Sequence, residues 1–474
     1  MDSKTLSRRD FLRASALTAA GAALAACAPS APEATEAPAA EEPAVEEPAA
    51  EAPATEAPAA EAPAPAEAVN VVMMHQRNEL SEEEEAQFEA DYPDVAIELI
   101  EGNDNEFLAR IAAGSPVDLR RTQAPAVPQF LNRELMYDLT PFFETSDVLK
   151  PDDLAPANAY YMANSPTTIG EGNIYGMCKD WSPDFTMWAF TDAFEEAGVD
   201  VPDETTVLTY AEVADLAEKL TVFEGDRVAR WGFAYADAWI DRIWMSLLDE
   251  LGQSLYVEDY SSINLTANDD LKAMAQYFFD LASNNFIANP LNPTTSWIGD
   301  DFGRGLVGLI QYGYWFGGMA ESDVTAGKVV MLPAPTWSGE RLDRTITATG
   351  MFMVSKTEVP DAAWQVFEWY NGKEPAEARA ASGWGVPALK SMYDMMPNET
   401  EFDQQKRRVL QGELDLETPP VQFNPFIGAE VVANTWLLYL EQALSGDMTL
   451  DELLMTVEEE VNVAIDEGME RTEG

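Results

Sequence analysis

Histidine occurs once in these 474 residues, at His75, and cysteine twice, at Cys27 and Cys178. So small a supply of imidazole and thiol excludes a His-rich metal site. No Ser-centred nucleophile elbow, phosphate-cradling loop or metal-ligand spacing appears either. Asp and Glu number 84 against 28 Lys and Arg. Among so many carboxylates, some pair always stands at the separation of about 5–10 Å that glycoside hydrolysis needs, so carboxylate pairing carries no information. The formal net charge is −56. A field of that sign repels nucleic acid and anionic lipid. What remains for chemistry is binding, through 12 Trp, 15 Tyr and a thin set of amides and arginines.

The first 27 residues carry export signals. Ser7-Arg8-Arg9-Asp10-Phe11-Leu12 looks like the twin-arginine export signal, paired arginines read by a receptor. The apolar run 14–26 that follows is well short of the ~20 residues of a spanning helix and reads as a signal h-region. It ends in Leu24-Ala25-Ala26-Cys27, which resembles the lipobox of bacterial lipoproteins. That likeness implies that Cys27 is lipidated on sulfur and becomes the first mature residue. Cys178 then has no partner and reads as a small buried apolar residue. Residues 28–68 are almost wholly Ala, Pro and Glu and read as a disordered, extended tether. The chain beyond it is expected outside the cytoplasmic membrane, lipid-anchored at the cell surface or in a periplasm.

Folding begins at Val69. The apolar run 69–74 has strand length. Ser81-Glu82-Glu83-Glu84 has capping-box spacing and predicts a helix to about residue 90. A strand over 94–100, a helix over 106–113 closed by Gly114, and a strand over 117–122 complete a βαβαβ unit. Such a unit implies a parallel sheet with ligands beyond the carboxyl ends of its strands. Near the other end, Leu450, Leu453, Leu454, Val457, Val461 and Ile465 fall on one helical stripe, started by a Thr449/Glu452 capping box.

Between these ends lies an ordered series of motifs. Gly172-Asn173-Ile174-Tyr175-Gly176 leads to Phe194-Glu195-Glu196-Ala197-Gly198-Val199 and Pro202, then to the capped helix at Thr209 and on to Leu220-Thr221. Residues 303–315 end in Trp315, and Pro333-Ala334-Pro335, Trp384-Gly385-Val386-Pro387-Ala388 and Ala443-Leu444-Ser445-Gly446 follow. The series resembles the extracellular solute-binding proteins of sugar ABC importers, the maltose-binding-like family, from Val69 to the end of the chain. The resemblance implies an α/β, two-lobed periplasmic-binding-protein-like fold of type II. Each lobe is a mainly parallel sheet flanked by helices, with the ligand cleft at the hinge. Lobe 1 is expected over 69–180 and 347–388, and lobe 2 over 181–346 and 389–474.

The resemblance also implies where ligand sits. Expected cleft residues are those just after strand ends: His75, Gln76 and Arg77, Thr122 and Gln123, Asp180 and Trp181, Asp237 and Trp239, and Tyr314 and Trp315. Trp384 and Phe426 join them from late loops. Trp315 matches the stacking tryptophan of the family. The residue types suit a sugar, because pyranose C–H faces pack on flat aromatic rings and hydroxyls need planar donors and acceptors. One departure stands out: Arg120 and Arg121 end a strand where the family has apolar residues. Charges buried there must be paired or wet. Either they pair with the surplus carboxylates, or Arg121 and Arg77 face the cleft and meet an acidic ligand. The expected function is that of a monomeric, non-enzymatic substrate-binding lipoprotein. It takes a sugar or oligosaccharide, needs no cofactor, and delivers its ligand to ABC permease subunits. Other classes that show Trp-rich clefts are glycoside hydrolases and glycan-binding adhesins.

Overall fold

The computed structural model describes residues 68–75, 79–294, 296–416 and 418–473. The expected signal peptide, the lipidation site Cys27 and almost all of the tether lie outside the described residues.

The chain begins with the expected βαβαβ unit. Strand β1 (Val69–His75) pairs in parallel with β2 (Val95–Glu101) on one side and β3 (Leu119–Thr122) on the other. The intervening helices, Glu82–Asp91 and Asp104–Ala112, are each started by a capping box, Ser81 with Glu84 and Asn103 with Glu106. The second helix therefore starts two residues before the expected position, because the Asn103 side chain already accepts the Glu106 amide at 3.0 Å. A hairpin of β4 (Met162–Ser165) and β5 (Thr168–Ile174) precedes β6 (Gly176–Cys178) and β7 (Asp180–Trp181).

The chain then leaves the first sheet and builds a second. Its strands are β8 (Met187–Phe190), β9 (Val222–Glu224), β10 (Arg227–Tyr235), β11 (Val307–Gln311) and β12 (Val329–Leu332). The order is β12-β8-β11-β10-β9, with β10 and β11 parallel and the other pairs antiparallel. The chain returns through residues 343–349 to add β13 (Gly350–Met353) to the first sheet, ordered β2-β1-β3-β13-β6. The short β14 (Val386–Pro387) pairs with β7. Both sheets are thus mixed where mainly parallel ones were expected. Strand β13, which enters after the passage back from the second sheet, runs against both its neighbours, β3 and β6.

The two passages are tied to each other. The Asp184 carboxylate accepts from the amides of Ile346 (2.8 Å) and Thr347 (2.9 Å), while Thr345 Oγ1 donates to Ser182 O at 2.9 Å. A third segment returns to the first half, where the Val421 amide donates to Tyr160 Oη at 2.9 Å. The closing helix Leu450–Glu473 buries Leu453, Leu454, Val457, Val461 and Ile465 as its stripe requires. Cys178 is fully buried and unbridged, its thiol donating to Asn158 Oδ1 at 3.3 Å and pushed well up in pKa by burial.

Candidate functional site

Strands β10 and β11 lie side by side and parallel, so their carboxyl ends open into one crevice. After Tyr235 the chain turns through a short 3-10 helix, Asp237–Trp239, into the helix Ile240–Glu250. After Gln311 it passes Tyr312 and Gly313 and turns through another, Tyr314–Gly318. Gly313 is required there: a Cβ would stand 2.3 Å from Ser182 Oγ and 2.5 Å from Asp184 Oδ1, on the first passage between the sheets. This close approach sets the turn in which Tyr314 goes inward and Trp315 goes to the crevice.

The result is a cavity of about 800 Å³ with aromatic walls. Tyr312 and Trp315 stand 5.1 Å apart between ring centres, and Trp297 stacks near-parallel on both, at 5.7 and 6.2 Å. Trp239 meets Trp315 at 6.5 Å with its ring turned by 64°. Trp384 closes the set at 6.1 Å from Trp315. It arrives from the other half: it follows the helix Glu374–Ser382, which packs on the helix Pro360–Gly372 and through it on the first sheet. The Arg242 guanidinium lies 5.5 Å from the Trp239 ring centre and braces that indole.

Polar groups are few. Asp237 is the one carboxylate among the described lining residues, and none of these is Lys or Arg. Asp237 is open to solvent in the cavity. The surrounding walls still raise its pKa by desolvation, against the hydrogen bond from the Ala238 amide at 2.8 Å. Asn289 fixes the third wall, its amide donating to Ala282 O at 3.0 Å and Asn285 Oδ1 at 3.1 Å.

Of the expected cleft residues, the structure brings Asp237, Trp239, Trp315 and Trp384 together here. Trp297, Tyr312 and Tyr235 line the same cavity and were not singled out from sequence. The others lie elsewhere. His75 is 1% exposed, edge-on to Tyr370 at 5.9 Å and 3.9 Å from Glu79, and burial lowers its pKa to about 4. Thr122 is buried in the sheet opposite Gly350, and Gln123 donates to Thr349 Oγ1 at 3.4 Å. Asp180 is buried in an ion pair with Lys179. Trp181 donates through Nε1 to Pro387 O at 3.1 Å and lines a different cavity. Tyr314 is buried beneath Lys406. Phe426 packs over Gly468, beside Asn132 and Arg133. Gln76 and Arg77 lie outside the described residues.

The two strand arginines are paired. Arg120 meets Asp104 at 2.7 Å, and Arg121 meets Glu79 at 3.1 Å. Glu79 also faces Lys179 at 3.4 Å. Burial alone would raise the Glu79 pKa, but Lys179 and Arg121 outweigh it and hold it at about 2.

Two sheets tied by crossing segments, with an aromatic cavity bounded from both halves, define a two-lobed binding protein of the type II periplasmic class. The chain belongs to the bacterial extracellular solute-binding protein family, whose model matches residues 56–377. A search of curated protein sequences found no match. Among solved structures, the fold is similar to the ABC substrate-binding protein Lmo0181 of Listeria monocytogenes in complex with cycloalternan. Identity is 18% over 84% of this chain and 98% of that one, with a TM-score of 0.70. The sugar-binding protein MalE of Xanthomonas citri is similar at 14% identity over 84% and 98%, TM-score 0.64. So is the ABC transporter associated binding protein of B. animalis subsp. lactis Bl-04 in complex with beta-1,6-galactobiose, at 18% identity over 85% and 98%, TM-score 0.64.

Proposed function

We propose that this chain captures a neutral sugar or oligosaccharide in the aromatic cavity and delivers it to the permease of an ABC importer. The observation that carries the reading is the cavity itself: four tryptophans and two tyrosines around one carboxylate, with no cation among the described lining residues. Flat aromatic faces suit the C–H faces of pyranose rings, and Asp237 supplies an acceptor for hydroxyls. The volume suits a ligand of small-oligosaccharide size. Similar proteins solved with cycloalternan and beta-1,6-galactobiose are in keeping with this. A retaining or inverting hydrolase needs two facing carboxyls, whereas Asp237 is alone among the described lining residues.

The leader adds the finer part of the proposal. The twin-arginine and lipobox likenesses support a mature chain outside the cytoplasmic membrane, held there by lipid on Cys27 and spaced from it by the tether. Its lobes fall near the boundaries 180/181, 346/347 and 388/389. Among the described residues no helix is long and apolar enough to cross a membrane. Two experiments test the reading. Calorimetric titration against neutral mono- and oligosaccharides should give saturable binding without hydrolysis. Cys27→Ser should move the chain from the membrane to the soluble fraction, and retention in the membrane would remove the anchor from the proposal.

A further inference from the structure

A smaller cavity, of about 300 Å³, shares no lining residue with the aromatic one. Three segments meet there. Asn132 and Arg133 end the helix Val127–Asn132 of the first half, Pro425 and Phe426 follow the third returning segment, and Gly468 and Arg471 lie in the closing helix Leu450–Glu473. Two local devices hold the segments together. The Asn132 side-chain amide donates to Pro425 O at 3.3 Å. Gly468 lets the closing helix lie on the Phe426 carbonyl, since a Cβ there would stand 2.1 Å from its oxygen.

These contacts bring two guanidiniums to the wall of one cavity and no carboxylate among the described lining residues. In a chain with 84 Asp and Glu against 28 Lys and Arg, that is the reverse of what composition favours. Arg133 is half-buried and has no ion pair or side-chain hydrogen bond among the described residues. Burial first, and then the like charge of Arg471, lower its pKa. Arg471 has one partner, Glu467 at 3.9 Å, and with side chains 61% and 66% exposed that pair contributes little. Each arginine stands at a helix C-terminus, where the dipole favours a cation. That accounts for either one alone and not for their meeting. Packing has put two like charges side by side and left their neutralisation to something outside the chain.

We propose that this cavity is a second ligand site, for a small dianionic oxyanion of the phosphate type held between Arg133 and Arg471. A guanidinium presents its N–H groups as a planar fork that meets two oxygens of such an ion at once, and two forks balance its two charges. A monoanion leaves one of the arginines unmet. Both side chains are open to solvent, Arg471 fully and Arg133 in part, so the ion reaches them without any opening of the fold. The net charge of −56 opposes the approach of anions to the rest of the surface, so occupancy reports the local pair. Because Arg133 belongs to the first half and Arg471 to the closing helix, the ion ties these two elements together by charge.

The test is calorimetric titration of the full chain with inorganic phosphate, at a mildly alkaline pH where the ion is a dianion and with ionic strength held constant by sodium chloride. The expected result is saturable binding at one site. Arg133→Gln and Arg471→Gln each weaken it by at least about tenfold. Arg471 is exposed, so its replacement leaves the fold intact and decides the matter even if Arg133→Gln unfolds the chain. Arg227→Gln, which removes an exposed arginine paired with Glu224 elsewhere, leaves phosphate binding unchanged. Glycerophosphoglycerol, the monoanionic headgroup of an acidic lipid, binds at least about tenfold more weakly than phosphate. If it binds as tightly, the site reads a lipid headgroup and the assignment to a free dianion is overturned. Absence of saturable phosphate binding to the folded wild type overturns the proposal. So does phosphate binding that survives both arginine variants, since that places the ion elsewhere.

Discussion

Trp315 is the residue on which the aromatic cavity turns, since Trp239, Trp297, Tyr312 and Trp384 all have ring centres within 6.5 Å of its own. Trp315→Ala is expected to cost about 1–3 kcal/mol of sugar binding with the fold retained. Calorimetry beside a melting curve checks this; full affinity with a lowered melting temperature would make Trp315 a packing residue. His75 offers a second residue-scale test, because it is the chain's one histidine and gives a single imidazole signal in NMR. Burial lowers its pKa in the folded state to about 4, below the usual 6.5. The unfolded chain therefore takes up the proton first, so this stability is full above pH 6.5 and is lost as pH falls toward 4. His75→Phe should flatten the stability curve across that window. Glu79 acts in a lower one: its folded pKa of about 2 stands below the usual 4.5, so its contribution is lost only as pH falls from 4.5 toward 2. An imidazole titrating at its ordinary value would show that His75 is not buried as described.

At the scale of elements, two glycines give opposite predictions. Gly313→Ala drives a methyl into Ser182 and Asp184 on the first passage and should destabilise by about 1–3 kcal/mol. Gly412, inside the helix Glu401–Leu414, has nothing within 4 Å of the place a methyl would take, so Gly412→Ala should stabilise by about 0.5–1 kcal/mol. Urea denaturation of the two variants checks both signs. The same contrast explains what sequence made legible. Ser81/Glu84 and Thr209/Glu212 are local devices, and the structure has both caps. Strand β1 was legible from a short apolar run, and β2 and β3 from their places in the βαβαβ alternation with the helices. Strand direction in the second sheet was not, because it is set by which strands come to pair across long connections and not by local pattern. Trp239 and Trp315 directly follow recognisable strands. Trp297 sits in an irregular proline-containing stretch and reaches the cavity only because tertiary packing lays it over Tyr312. His75 also follows a strand pattern, but Tyr370, far along the chain, covers it.

For the whole molecule, charge decides which sugars the proposed site accepts. The chain carries a net −56, and its aromatic cavity adds Asp237 while presenting no Lys or Arg among the described lining residues. A uronate would have to enter against that field, and it would meet a carboxylate on arrival. The sequence left open that Arg121 faces the cleft as an anion-binding fork. Instead it is buried against Glu79, 3.1 Å away, and its charge is spent inside the first half. A neutral sugar is therefore expected to bind more tightly than its uronate. Added salt should narrow the gap, because the repulsion summed over the surface is screened beyond a Debye length of about 10 Å at 0.1 M. Arg121→Gln should lower stability, by leaving Glu79 with less compensation, and leave the neutral-to-uronate ratio unchanged. Titrating both ligands into wild type and Arg121→Gln at two salt concentrations checks each part. A uronate that binds as tightly as the neutral sugar at low salt would show that a cation reaches the cavity. Arg77, two residues past the first strand's end and outside the described residues, would be the side chain to replace next.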